Sequence, residues 1–291
     1  MVEKKKVLAC VTPSPGADGV ADCAAWAACR LHMPLEFLHI IDRHPEQGSG
    51  EDRSGTIGLD AQAHLLEKLS AADECHARHA REQGRLFLQR LRQRAMAAGA
   101  ADVDVRQRYG DWIETVVEQA REVSLLVVGR GGVDASSARC KELEPHVEGM
   151  VRALRKTPIL TVTENFKTPQ RAMFAFDGSA TAKRGLELIA SSPLLRNLTI
   201  HLLMSGQAKA KANAVKQLER AQESLLASGL EVTAAFVPGD AQHTIAQALQ
   251  EQAVDLLIMG AFGHSPLRNF LFGSKTSDLL RFAQIPTLLL R

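Results

Sequence analysis

The sequence predicts an α/β fold of two tandem doubly wound domains, each with a five-stranded parallel sheet. Three observations predict it. The candidate strands are short and mostly apolar throughout rather than alternating, as strands covered on both faces are. Ala-rich or amphipathic helical segments separate them, which is the order a parallel sheet requires. The whole pattern then occurs twice, and an internal repeat of this kind sets the organisation of the chain.

The repeat is legible segment by segment. "VLACVT" (7 to 12) corresponds to "AMFAFD" (172 to 177), each followed by a polar loop and an Ala-rich helical stretch. "LEFLHIID" (35 to 42) corresponds to "LTIHLLMS" (198 to 205), and "YGDWIETVVEQAREVSLLVVGRGG" to "PGDAQHTIAQALQEQAVDLLIMGAFG". "LRKTPILTV" and "FAQIPTLLL" close the two copies, with Pro158 facing Pro286. A polar, Pro-containing linker near 163–170 divides domains at 1–163 and 170–291.

In the second copy, strands are expected over 171–176, 198–204, 230–237, 254–259 and 286–290. Helices are expected over "TAKRGLELIA", "KANAVKQLERAQESLLAS" and "AQHTIAQALQEQ". Asp240 stands where an N-cap belongs and Gly229 where a C′ glycine belongs. The first copy carries an insertion at about 43–75, beginning with the Gly- and charge-rich loop "RHPEQGSGEDRSGTIG". From about Leu59 to Ala98 the pattern reads as one long or broken helix.

Bulk properties narrow the function. The 291 residues are 45% hydrophobic and 23% charged, an ordinary globular composition. A formal charge of +2 supplies no basic stripe for nucleic acid, and 4% aromatics supply no stacking platform. Five cysteines (Cys10, Cys23, Cys29, Cys75 and Cys140) without a CxxC pair suggest neither a disulfide framework nor a zinc ribbon. No apolar stretch approaches the roughly 18 residues of a membrane span. The lysines at 4–6 precede too short an apolar run for a signal peptide. The expectation is a cytoplasmic protein without membrane or nucleic-acid partners.

The stretch "LLIMGAFGHSPLRNFLFGS" (256 to 274) carries the chemistry. A buried strand runs into Gly260 and Gly263, and Gly273-Ser274 then opens the helical segment "SKTSDLLRF". Ligands of doubly wound sheets bind beyond the carboxyl ends of the strands, at the switch point. Glycines there admit positive φ and leave no Cβ in the way of a phosphate. Successive amides form an anion nest, and a helix N-terminus adds its positive end. Ser274 alone reads equally well as an N-cap. There is no GxxxxGK[ST] P-loop, and "FGSKTS" is not one.

Gly260, Gly263, Gly273 and Ser274 spell G-x2-G-x9-G-[ST], and with "LRNFLFGS" before the Gly-Ser the sequence resembles the universal stress protein family. The resemblance spans both copies. It implies a Rossmann-like, adenine-nucleotide-binding type of domain, with ATP held by the second copy and Mg2+ as a companion of the nucleotide rather than of a protein ligand set. Asp177 matches the acidic residue at the end of strand one that meets the nucleoside. Leu203 or Met204 matches the apolar strand-two position near the base. Met259 and Gly260 match the ribose and phosphate side. Gly263, Gly273, Ser274 and Lys275 match the phosphate loop. The family's homodimers further imply contact of the two copies through "TPILTV" and "IPTLLL"; a homodimer of chains is a separate expectation.

The first copy departs from that pattern. It keeps Gly129 and Gly132, but Pro145-His146 stand where Gly273-Ser274 would, and Thr12 stands at the Asp177 position. Proline removes an amide donor. A degenerate first site with a scaffolding role is expected. The cluster "DECHARHAREQ", with Cys75 and His79 four apart, reads as a solvated helix face, a metal site being its alternative. No nucleophile, base and orienter can be assembled from local spacing. The reading is a nucleotide-binding stress-response protein switched by occupancy, not a metabolic enzyme. Its alternatives are a slow ATPase or autophosphorylating enzyme, and a nucleotide-free interaction module built on the insertion.

Overall fold

Runs of Val, Ile and Leu without polar alternation become strands because both faces of the sheet they enter are covered. The computed structural model of the chain describes residues 5–41, 59–130, 145–154, 156–207, 211–260 and 283–290, with side chains described outside 59–77 and 145–148. The first half contains β1 (Lys6–Cys10), α1 (Ala17–Leu31), β2 (Leu35–Ile41), α2 (Leu59–Ala97), β3 (Val103–Tyr109), α3 (Trp112–Gln119), β4 (Val123–Gly129), α4 (Pro145–Ala153) and β5 (Ile159–Val162). The second contains β6 (Arg171–Ala175), α5 (Ala180–Ser191), β7 (Thr199–Gly206), α6 (Lys211–Ala227), β8 (Glu231–Pro238), α7 (Ala241–Glu251), β9 (Leu256–Gly260) and β10 (Thr287–Leu290).

These strands form one ten-stranded sheet in the order β3-β2-β1-β4-β5-β10-β9-β6-β7-β8. Each half is therefore a parallel doubly wound sheet whose first strand lies between its second and fourth. The halves meet where β5 and β10 pair antiparallel, with Thr287 opposite Thr161, Leu288 opposite Leu160 and Leu289 opposite Ile159. The carboxyl ends of the two sets of parallel strands consequently point to opposite edges of the sheet.

Alternate strand residues feed two apolar layers. Val7, Ala9, Phe37 and Phe174 face α1, α2, α5 and α6, while Leu8, Cys10, Met173 and Leu257 face α3, α4 and α7. The alanines of α1 (Ala21, Ala24, Ala25, Ala27, Ala28) are buried. Small side chains let that helix approach both the sheet and α2. Local signals agree with this packing. Asp240 caps α7 by accepting from the amides of Gln242 and His243, and Gly229 follows α6 with φ +79°. Helix α2 is one continuous helix of 39 residues, so residues 59–75 of the insertion are its first turns, and residues 42–58 lie outside the described ones. Arg94 ties it to α1 through Asp22, at 2.6 Å.

The structure corrects one correspondence between the copies. Val7 pairs with Leu35 and Ala172 with Ile200, so the residue of the first half that stands at the place of Met204 is His39, not Ile41. Strand apolar runs have few internal landmarks, and the aligned strings slip by two residues without changing face. His39 is buried beneath α2, its Nδ1 3.1 Å from the Val11 carbonyl and its ring edge-on to Phe87. Burial holds its pKa below the ordinary histidine value, against the opposing effect of the Val11 carbonyl.

Two further contacts knit the first half. Lys6 and Glu36 form a buried ion pair of 3.1 Å, and Arg106 reaches the same carboxylate oxygen at 3.2 Å. At the opposite edge, the linker that leaves β5 crosses α1. A Cβ on Gly19 would stand 2.3 Å from the Glu164 carbonyl oxygen and 2.9 Å from that of Thr163, so only glycine lets the linker lie this close.

Three outcomes follow. Glu36→Ala removes the buried partner of Lys6 and leaves the ammonium with Gln119 at 3.2 Å and Glu122 at 3.5 Å. It should lower unfolding free energy by about 2 kcal/mol, read by urea denaturation; a change below about 0.5 kcal/mol would show the pair to be dispensable. Gly19→Ala should cost about 1–3 kcal/mol by overpacking the linker contact, with the same readout. His39 binds its proton less readily folded than unfolded. Its contribution is thus fully present above the ordinary value of 6.5 and is lost as pH falls below it. His39→Met should flatten the part of that loss due to this residue in thermal melts across the range.

Candidate functional site

Strand β6 lies between β7 and β9, so the chain departs from it to opposite sides and leaves a crevice at the carboxyl ends. The turn after β6 builds one wall. Phe176 donates its amide to the Leu203 carbonyl at 2.9 Å, extending the β6–β7 pairing past the last strand residue. Asp177 follows, half-buried, and its Oδ1 accepts from the Ser179 amide at 3.0 Å. This places a carboxylate over the start of α5, whose N-cap is Ser179, itself accepting from the Ala182 amide at 3.1 Å.

Gly178 makes the turn feasible. Its φ is +72°, and a Cβ there would lie 2.2 Å from Gln217 Oε1 and 3.6 Å from Met204 Cε. The same measurement puts Met204 and Gln217 beside the turn. Met204 is buried, on the α5 and α6 face, while Leu203 points to the other layer with Ala175 and Ile245. Of the two strand-two candidates, only Met204 thus stands next to the Asp177–Gly178 turn. Met259 is fully buried in the layer under α7, so its side chain serves the core and only its backbone borders the crevice. Gly260 ends β9 beside the first turn of α5, where a Cβ would touch Thr181 at 3.4 Å. Gly263, Gly273, Ser274 and Lys275 lie outside the described residues.

Asp177, Met204 and Gly260 therefore come to the ends of three adjacent strands from positions far apart in sequence. Gln217 is the residue that sequence reasoning missed. It sits in a wet-looking stretch of α6, and no spacing signal distinguishes it from its neighbours. Among the described residues, no group of three His, Cys, Asp or Glu is placed to hold a metal ion. Also among them, no helix is long and apolar enough to cross a membrane.

The corresponding edge of the first half is built differently. Thr12 follows β1 where Asp177 follows β6, and His39 replaces Met204. Gly129 takes the place of Gly260, since Val7 pairs with Leu125 as Ala172 pairs with Leu256. The next residue, Arg130, turns toward the second half. Its guanidinium donates to the Ala283 carbonyl at 3.1 Å and to that of Ile285, and burial pushes its pKa down to about 10. Thr163 adds a hydroxyl bond to the Gln284 carbonyl at 3.3 Å. The strand-four exit of the first half is thus committed to the junction, and the linker carbonyls lie over Gly19 close by.

The sequence profile of the universal stress protein family matches residues 4–139 and 169–291. The chain is similar to the universal stress protein Slr1230 of Synechocystis sp., with 28% identity over 288 residues that cover 99% of this chain and 100% of that protein. It is 25% identical over 91 residues to the universal stress protein YxiE of Bacillus subtilis, covering 31% of this chain and 62% of that one. A crystal structure of a universal stress protein from Archaeoglobus fulgidus DSM 4304 superposes with a TM-score of 0.69 at 17% identity, covering 99% of this chain and 96% of its own, a likeness of fold. With the profile on both halves and a relative matched from end to end, the chain belongs to the universal stress protein family.

Proposed function

We propose that the second half, 170–291, binds an adenine nucleotide, ATP, at the carboxyl ends of β6, β7 and β9, and that occupancy acts as a structural or regulatory switch. The observation that carries the reading is the meeting of Asp177, Met204 and Gly260 at one crevice, in a half that also contains the G-x2-G-x9-G-S spacing. The nucleoside end of the ligand fits the described chemistry. Asp177 keeps carboxylate oxygen capacity for a hydroxyl or amino donor, since one oxygen serves the Ser179 amide. Met204 offers a deformable apolar surface to a base. Gly260, Gly263, Gly273, Ser274 and Lys275 would hold the phosphates through backbone amides, a hydroxyl and a cation. The switch would be an ordering of the loop 261–273 when phosphates engage it.

In this reading the first half, 1–163, is a scaffold. Thr12 has no carboxylate to offer, His39 is turned to the Val11 carbonyl, and Arg130 serves the junction. Pairing of the two halves through β5 and β10 would hold the second crevice in place, and a homodimer of chains belongs to the same proposal.

The test is extraction of nucleotide from freshly purified protein, followed by calorimetric titration with ATP. Wild type should carry or titrate adenine nucleotide. Asp177→Ala should weaken binding about tenfold or more, as loss of a hydrogen bond to a charged group implies. Gly263→Asp should abolish it by setting a carboxylate in the phosphate path. ATP at 100 times its dissociation constant should add about 2.7 kcal/mol of stability. A wild-type protein that carries no nucleotide, titrates none and melts unchanged with ATP would overturn the reading. Intact ATP recovered after single-turnover incubation supports a switch over a slow ATPase or autokinase.

A further inference from the structure

On one face the helical layers of the two halves touch where the end of α1 meets the turn at Pro193–Leu195, and a gap remains beside that contact. On that face α1 packs over β1, β4 and β5, and α5 packs over β9 and β10. No helix crosses from one half to the other above the β5–β10 junction among the described residues. A cavity of about 350 Å3 opens there, at the lower end of the range for small-molecule sites. Its walls come from both halves: Leu31 and Met33 at the end of α1, and Leu188, Leu194, Leu195 and Leu290 from the second half.

The walls are mostly apolar, and the polar residues among them are Ser124, Ser191, Ser192 and Lys5. Ser191 Oγ donates to the Glu187 carbonyl at 2.8 Å, and Ser192 Oγ accepts from the Leu194 amide at 3.3 Å, so both serve their own chain. Lys5 borders the cavity, is exposed, and makes no ion pair among the described residues. Leu188 stands at the opening with 41% of its surface exposed, a large apolar side chain left in water. A greasy slot with one ammonium at its edge has the complement of an anionic amphiphile.

We propose that this junction cavity binds a medium-chain aliphatic carboxylate, its chain among the leucines of both halves and its carboxylate on Lys5. The site is independent of the nucleotide crevice. Because each half supplies part of the wall, the ligand would be bound by the paired form and not by separated halves, and would stabilise the β5–β10 junction by linkage.

The test titrates the full chain with hexanoate, octanoate, decanoate and decanol by calorimetry below their micellar concentrations, with thermal melts confirming that each variant folds. The carboxylates should bind saturably at one site, each added methylene tightening binding about three- to fourfold until the slot is full. Lys5→Glu should weaken decanoate at least tenfold and leave decanol within about twofold, as a charge-specific contact requires. Leu188→Glu should weaken both. Absence of saturable decanoate binding would overturn the proposal, as would equal binding of decanoate by wild type and folded Lys5→Glu. So would a chain that binds no decanoate and is converted from dimer to monomer by Leu188→Glu in light scattering, since the slot would then receive a second copy of the chain.

Discussion

Every parallel sheet ends in strands whose outer backbone groups lack partners, and in this chain the two ends that matter are β5 and β10. Each is only four residues long and buried throughout. Left as edges they would present apolar, unpaired backbone to water or to other chains. Pairing them antiparallel satisfies both at once and makes ten strands continuous. The Thr161 hydroxyl, in a fully buried residue, finds the Thr287 carbonyl at 3.3 Å across this junction. Arg130 and Thr163 add bonds to the segment leading into β10. The remaining geometry depends on this pairing. It turns the two sets of carboxyl ends to opposite edges, runs the linker over α1 and leaves the apolar slot between α1 and α5.

Two copies of one framework have thereby become chemically distinct. Equivalent strand ends carry Asp177 and Met204 in one half and Thr12 and His39 in the other. The difference extends to what lies over them. Helix α2, far longer than α6, covers His39 with Phe87, whereas Gln217 of α6 stands beside Gly178 and Met204. The second half keeps a carboxylate and an apolar side chain at its crevice, and the first half spends the matching positions on its own packing.

Much of the architecture was readable because it rests on local rules. Unbroken apolar runs mark doubly covered strands, Asp240 and Gly229 mark helix ends, and the repetition of the series marks two halves. The resemblance to the family singled out Asp177, Met204 and Gly260, and the structure brings these three to adjacent strand ends. What stayed hidden involves partners distant in sequence. Nothing in "LEFLHII" or "LTIHLLM" reveals a register offset of two, because a shift of two keeps every side chain on its face. Glu36 reads as an ordinary strand residue until Lys6 and Arg106 are brought to it. Nothing local to Met259 reveals that its side chain enters the layer under α7 while its backbone borders the crevice.

The sequence by itself determined the class of fold, the two-copy order, the apolar layers and the family. The first three follow from periodicity and caps along the chain, and the family from the likeness of its glycine motif to that of known members. Only the tertiary structure decided which of Leu203 and Met204 borders the Asp177 turn, what His39 and Arg130 do, and why Gly19 must lack a side chain. Those outcomes depend on strand register and on the approach of backbone carbonyls from more than 100 residues away. They are set by packing between elements, which no local pattern encodes.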